Sequence, residues 1–253
     1  MKNFKKTRLF AAILIALVVS WTGCDKNNSD PAQVALHFDY VVNGEAFQPG
    51  KAYLIGGTAV KFDVANFYVG GIEFFPETGD SIPVSGKHLL VTPENTDHIV
   101  TTLDPGHYHQ LHCFIGVDMA TNNQSESDFT NRPSDDPLAA QDPSMAWSWG
   151  SGYKFIRIDG QVDTDGDGTP ETPLQFHLGD PDPTDDVPKF RRDLAFVIHK
   201  DVASGDNVIN IQFDLARCFQ NIDLSAEYIT HVGDNVTLAN SFFGNLDKAF
   251  SVE

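Results

Sequence analysis

The residues best suited to chemistry are the nine histidines, a dense set for a chain of 253 residues. His107 and His109 are two apart in a stretch that alternates like a strand, so both imidazoles fall on one face, at a spacing one metal ion can span. His112 falls on the opposite face of the same run. His37 and His177 sit in apolar-alternating stretches, where a polar side chain needs a partner. Neutral imidazole nitrogens suit copper or zinc. A single strand histidine is more commonly just hydrogen-bonded or exposed, so spacing alone does not define a site.

Two further stretches carry potential chemistry. Asp163, Asp165 and Asp167 occupy the first, third and fifth positions of a calcium-type loop, with Gly168 at the sixth and Glu171 just beyond. The twelfth position is Leu174 rather than the usual bidentate Glu. Calcium would therefore need a ligand from elsewhere, with Asp180, Asp182, Asp185 and Asp186 close in sequence. The bland alternative is an Asp/Gly-rich turn without an ion. The second stretch, Met145 to Gly160, holds Trp147 and Trp149, two of the three tryptophans. They are either a packing anchor or one wall of a site.

Other chemistries are excluded or unsupported. There is no Gly-x-Ser-x-Gly elbow, no P-loop and no Gly-x-Gly-x-x-Gly after a strand. A catalytic thiol is disfavoured because Cys113 lies in an apolar run without basic neighbours. Carboxylates are too abundant for any two to be singled out as a glycosidase pair.

The elements that must position these residues read as short strands. Gln33 to Val42 alternates, with Val34, Leu36, Phe38 and Tyr40 on one face, and Asn43-Gly44 marks a tight turn. Val60 to Phe75 carries further apolar runs, with a bulge expected at Gly70-Gly71. Ile82 to Val91, Ile99 to Leu103, His107 to Val117, Tyr153 to Ile158, Leu174 to Gly179, Leu194 to His199 and Val208 to Leu215 complete the set. Within His107 to Val117, regular alternation puts His107, His109, Leu111 and Cys113 on one face. Met119 to Ser144 is polar and proline-bearing and reads as a long structureless loop. Only Ala216 to Ile222 and the tail near Phe242 to Phe250 suggest short helices. The fold class is all-β, a single antiparallel β-sandwich with long loops and little helix.

The N-terminus sets the compartment. Lys2, Lys5, Lys6 and Arg8 precede an uncharged apolar core from Leu9 to Val19, and Thr22-Gly23 places small residues before Cys24. This reads as a lipoprotein signal peptide over 1–23, lipidation at Cys24, a polar tether over 24–33 and one domain over 34–253. The apolar core is shorter than the about 20 residues of a comfortable membrane helix. The chain would then be exported and held to a bacterial membrane through its lipid alone, facing the periplasm or the cell surface. Loss of the four basic residues leaves 13 Lys and Arg against 35 Asp and Glu, a formal charge of −22. Nucleic acid is thereby a poor partner, since nothing neutralises its phosphates. In an oxidising compartment Cys113 and Cys218 either form a disulfide or remain buried thiols.

Several spaced pieces together resemble the MbnP-like domain family of exported copper-associated proteins, to which the metallo-mystery pair proteins are related. They are Val64-Ala-Asn-Phe-Tyr-Val69, Gly106 to Asp118 with Asn122 or Asn123 after it, Met145-Ala-Trp147-Ser-Trp149-Gly-Ser-Gly152-Tyr153, and Phe176-His177-Leu178-Gly179. The matches run in order and cover most of Leu36 to Phe213. The resemblance implies a di-haem cytochrome c peroxidase-like partner that oxidises a tryptophan, Trp147 or Trp149, to kynurenine, which then joins histidines around copper. His177 matches the family's histidine, while His37, His107, His109 and His112 compete as its companion. Asp180-Pro181-Asp182 stands where the cysteine-rich cousins continue with Ser-Thr-Gly-Cys. The expectation is a non-enzymatic copper-binding lipoprotein that sequesters or delivers the metal. The alternatives are a structural or ligand-binding surface lipoprotein, and a copper oxidoreductase, for which no substrate pocket is legible.

Overall fold

The computed structural model describes residues 32–147, 152–180 and 189–253. The signal segment, Cys24 and most of the tether lie outside these, as do Trp149, Asp182, Asp185 and Asp186.

Apolar alternation builds the first strand. In β1 (Ala32–Val42) the side chains of Ala32, Val34, Leu36, Phe38 and Tyr40 are buried while their neighbours are partly exposed. Asn43 and Gly44, both at positive φ, turn the chain into the short β2 (Glu45–Ala46), as the Asn-Gly pair predicts. β3 (Ala52–Ile55) leads to the long β4 (Thr58–Pro76), against which β3, β5 (Ile82–Pro83) and β6 (Leu89–Val91) pair. The bulge expected at Gly70-Gly71 is present: the register with the next long strand shifts between Gly70 and Glu73, and Gly71 has φ +58°. A Cβ on either glycine would strike the Phe114 ring, at 2.6 Å from Gly70 and 2.4 Å from Gly71.

β7 (Asp97–Leu103) and β8 (Gly106–Ile115) follow across the Asp104-Pro105 turn. The segment after β8 is not structureless. It contains α1 (Met119–Asn122), capped by Asp118, and α2 (Glu126–Thr130), which opens with a capping box between Ser125 and Asp128. Those side chains satisfy backbone N–H groups that a short helix otherwise leaves open. β9 (Ile156–Val162), β10 (Thr172–Leu178), β11 (Arg192–Val202) and β12 (Gly205–Asp214) complete the long strands. Then come α3 (Leu215–Cys218), β13 (Ile229–Thr230), α4 (Val236–Ala249) and β14 (Phe250–Val252). The C-terminal helix thus begins well before the expected Phe242.

Two sheets form the sandwich. One runs β14-β12-β1-β2 with β7 also on β1, and the other runs β11-β8-β4-β9-β10-β13. The expected antiparallel pairing holds for most neighbours, but β1 with β12 and β10 with β13 are parallel. Phe38, Tyr40, Phe67, Phe213 and Phe250 pack ring on ring, Phe213 and Phe250 stacked at 4.5 Å. A second aromatic group of Phe62, Phe176, Phe219 and Phe242 seats α4 on the larger sheet. Each such buried phenylalanine contributes roughly 2 kcal/mol from burial alone.

The disulfide alternative does not hold. Cys113 on β8 and Cys218 on α3 are both buried free thiols within the main apolar core. Burial pushes the Cys113 thiol up to about 12 and Cys218 well above its ordinary range.

Candidate metal centre

The elements around His177 are fixed by sheet register. His177 lies opposite Arg157 in the β9–β10 pair, and Phe176 lies opposite Thr230 in the parallel β10–β13 pair. The residue after Thr230 is His231, and its ring meets that of His177 at 4.8 Å between centroids, inclined by 75°. Each imidazole is held by a carboxylate. His177 Nε2 is 2.6 Å from Asp159 Oδ1, and His231 Nδ1 is 2.8 Å from Asp234 Oδ2. The carboxylates fix ring orientation and tautomer, so the lone pair lies on the other nitrogen: Nδ1 of His177 and Nε2 of His231.

Burial pulls the His177 pKa below its ordinary value and outweighs the opposing pull of Asp159. The imidazole is therefore neutral near pH 7, the state a metal ligand requires. Asp159 is partly buried, which raises its pKa, but its hydrogen bonds to His177 and Arg157 bring it below the usual range. The loop that presents His231 is tight. The His231 backbone N–H donates to Asp234 Oδ1 at 2.6 Å, and Val232, a β-branched residue, has φ +67°. Backbone strain of this kind persists only where surrounding structure over-determines it.

Trp147 reaches the same neighbourhood from a hairpin. Its backbone N–H donates to Gly152 O at 3.2 Å, Lys154 N–H donates to Met145 O at 2.8 Å, and Ala146 bridges to Tyr153. Residues 148–151, with Trp149, fall outside the described residues. The Trp147 indole lies against Gly179, where an added Cβ would sit 3.1 Å from the ring. Gly179 is two residues beyond His177. Asn122 secures both ends of this arrangement: its Oδ1 accepts from Tyr153 N at 2.9 Å and its Nδ2 donates to Asp180 O at 2.7 Å. Of the two asparagines in the sequence pattern, Asn122 is the buried one. Lys154 is buried, with Nζ donating to Ala146 O at 2.8 Å and Ser144 O at 3.1 Å.

The other histidines go elsewhere. His37 lies on the smaller sheet between Asp97 and Asp39, at 2.7 and 3.0 Å, and does not join His177. His112 rests over Phe75, 4.2 Å between ring centres, and meets Gln110 Oε1. His107 and His109 lie on β8, separated from β10 by β4 and β9, so they do not complete this centre either. They face away from the core, whereas Leu111 and Cys113, expected on their face, point into it. The cause is a register irregularity at His109 in both of the β8 pairings, which shifts the phase of alternation.

The Asp163 loop closes on itself. Asp163 Oδ1 and Oδ2 accept from Gly166 N and Gly168 N, each at 2.7 Å, and Asp167 Oδ1 accepts from Thr169 N at 2.7 Å. Asp163, Asp167 and Glu171 still bring one oxygen each within 4.8 Å of one another. Leu174 is fully buried in the core, and Asp180 accepts from Lys189 N at 2.6 Å. Asp165 Oδ1 is likewise taken by Asp167 N.

Fold and site together define a β-sandwich protein with a carboxylate-oriented histidine pair beside a tryptophan hairpin. The MbnP family model matches residues 31–236, and the chain belongs to that family, as the motif resemblance implies. Among solved structures the chain is similar to MbnP from Methylosinus trichosporium, at 19% identity over 81% of this chain and 82% of that one, with a TM-score of 0.54. That likeness shows the shared fold. No curated protein matches the chain.

His231 is the site residue that sequence reasoning missed. It follows a strand of two residues, too short to leave a periodic signal.

Proposed function

We propose that this protein binds copper at His177 and His231 and sequesters or hands on the metal without catalysing a reaction. The observation that carries this reading is the facing imidazole pair, each ring turned by its own carboxylate so that its other nitrogen can serve as a ligand. Imidazole nitrogens suit copper in either oxidation state, and a carboxylate behind each histidine is the usual support of a metal-ligating ring. Unmodified indole is no ligand. Oxidation of Trp147 or Trp149 to kynurenine, by the di-haem peroxidase-like partner that the family resemblance implies, would supply an aromatic amine nitrogen. Bound copper would add a redox-active cation; the protein's own residues orient both imidazoles, and burial keeps that of His177 neutral and shielded from water. Export and a lipid anchor at Cys24 belong to the same reading. Among the described residues no helix is long and apolar enough to cross a membrane.

The test is metal analysis of protein from its native source, with peptide mapping across Met145 to Lys154. The expected result is one copper per chain and the mass change of one ring carbon exchanged for oxygen. Copper content unchanged in both His177→Ala and His231→Ala would sink the proposal.

A further inference from the structure

Far from His177 in the larger sheet, three imidazoles converge where nothing in the core requires them. We propose that His107, His109 and His199 form a second, exchangeable site for a borderline divalent ion, Zn2+ or Cu2+, on the outer face of β8 and β11. This inference does not depend on the reading of the His177 centre, with which it shares no residue.

The geometry is that of a ligand set. One ring nitrogen from each histidine lies within 4.8 Å of the other two. His109 Nδ1 and His199 Nδ1 are 3.2 Å apart, close to the roughly 3.3 Å separation of two nitrogens held by zinc at about 2.0 Å in a tetrahedron. The ring centres are 5.0, 5.0 and 5.9 Å apart. Two of the rings have a carboxylate behind them. Asp201 Oδ1 sits 2.6 Å from His107 Nδ1, leaving Nε2 for a metal. Glu77 Oε1 sits 4.0 Å from His109 Nε2, on the side away from His199. The hydrogen-bonded carboxylate of Asp201 orients the His107 ring, while Glu77, beyond hydrogen-bond distance, adds negative charge beside His109.

The backbone is irregular where the third ring joins. On β11, Ile198 and His199 together oppose the single residue His109 of β8, a bulge between Val197 and Lys200. His199 takes φ +40° there, a left-handed value that a non-glycine residue rarely adopts. Alternation along β11 places His199 on the exposed face with Val197 and Asp201, the face that His107 and His109 share on β8. Beside His107 opens a cleft of about 430 Å³ whose lining includes Glu77, Asp80 and Asp104, an acidic approach for a cation. Three protein ligands at an exposed position leave coordination sites to solvent, as in zinc sites that exchange their fourth ligand.

The experiment is titration of the full chain with Zn2+ against a chromophoric chelator, and with Co2+ followed by its visible d–d bands. Wild-type protein and His177→Ala should both show the site. His199→Ala and the double variant His107→Ala/His109→Ala should lose the Co2+ bands and bind Zn2+ at least tenfold more weakly. Asp201→Asn should weaken binding about tenfold. Retention of wild-type Zn2+ affinity by His199→Ala, or loss of the Co2+ bands in His177→Ala alone, would overturn the proposal. The residues are exposed or half-buried, and far-ultraviolet circular dichroism confirms that each variant compared is folded.

Discussion

Asp159 joins Arg157 to His177: its Oδ1 meets His177 Nε2 and its Oδ2 accepts from Arg157 Nε, both at 2.6 Å. Arg157 and Asp159 are two apart on β9 and so share a face, while His177 comes from the paired strand β10. One carboxylate therefore ties the arginine of one strand to the imidazole of the next and sets which imidazole nitrogen is available. Replacing it with the isosteric Asp159→Asn should weaken copper binding about tenfold. The same change should lower stability by about 2 kcal/mol, because a largely buried arginine–carboxylate–histidine group loses the charge at its centre. Equilibrium denaturation and copper titration of this variant check both outcomes.

The same pair sets a pH dependence. Burial holds the folded His177 below its ordinary value of 6.5, so the folded chain resists a proton that the unfolded chain accepts. The resulting stability is fully present above about pH 6.5 and is lost as pH falls through the folded value. Asp159, held below its ordinary 3.8, adds a second loss further into acid. Thermal unfolding followed from pH 7.5 to 5 should show a declining Tm in wild type and a flatter profile in His177→Gln. Equal slopes would place the titration on other groups.

Gly179 should tolerate no side chain. A Cβ there would lie 2.2 Å from the Tyr153 carbonyl oxygen as well as 3.1 Å from the Trp147 ring. Backbone cannot yield as a flexible side chain can, so Gly179→Ala should cost roughly 1–3 kcal/mol and change tryptophan fluorescence. Urea denaturation monitored at the tryptophans gives both readings, and a neutral substitution would show that the hairpin is not pinned to β10.

Lys154 anchors the tryptophan hairpin from below through Ala146 O and Ser144 O. Lys154→Met keeps the apolar stem but removes the ammonium from both carbonyls, leaving Arg157 Nη1 on Ser144 O and Ser144 Oγ on Ala146 O, so stability should drop by about 1 kcal/mol. Limited proteolysis should then cut faster between Met145 and Lys154 than in wild type. Unchanged cutting would mean the backbone pairs alone hold the hairpin.

The two thiols offer an independent check on the core. Cys113 and Cys218, buried and protonated at neutral pH, should be inert to a thiol reagent in the folded chain and both react once it unfolds. Peptide mapping that recovered a Cys113–Cys218 bridge from oxidised protein would contradict the packing described here.

Much of the sandwich was legible in the residues. Period-two alternation from Val34 to Tyr40 marks β1 because one face must be buried, and Asn43-Gly44 marks its turn because both positions need positive φ. The short helices α1 and α2 were not legible. Their signals are single capping residues, Asp118 and Ser125, inside a polar stretch without an apolar face. The break in alternation at His109 was hidden for a similar reason: a bulge is a property of two paired strands, and one strand read alone has no register to lose.

The amino-acid sequence by itself determined the strand-rich class, the family motifs, and His177 with Trp147 or Trp149 as parts of one candidate site. Tertiary structure decided the company each histidine keeps. His231 reaches His177 through a parallel pairing of two residues, and His199 reaches His109 across a bulge from ninety positions away. Long-range strand pairing carries no signature in local composition, because it is chosen by which faces the whole chain can bury together. Two histidine clusters that look like one scattered set in sequence are therefore separated only once the sheets are assembled.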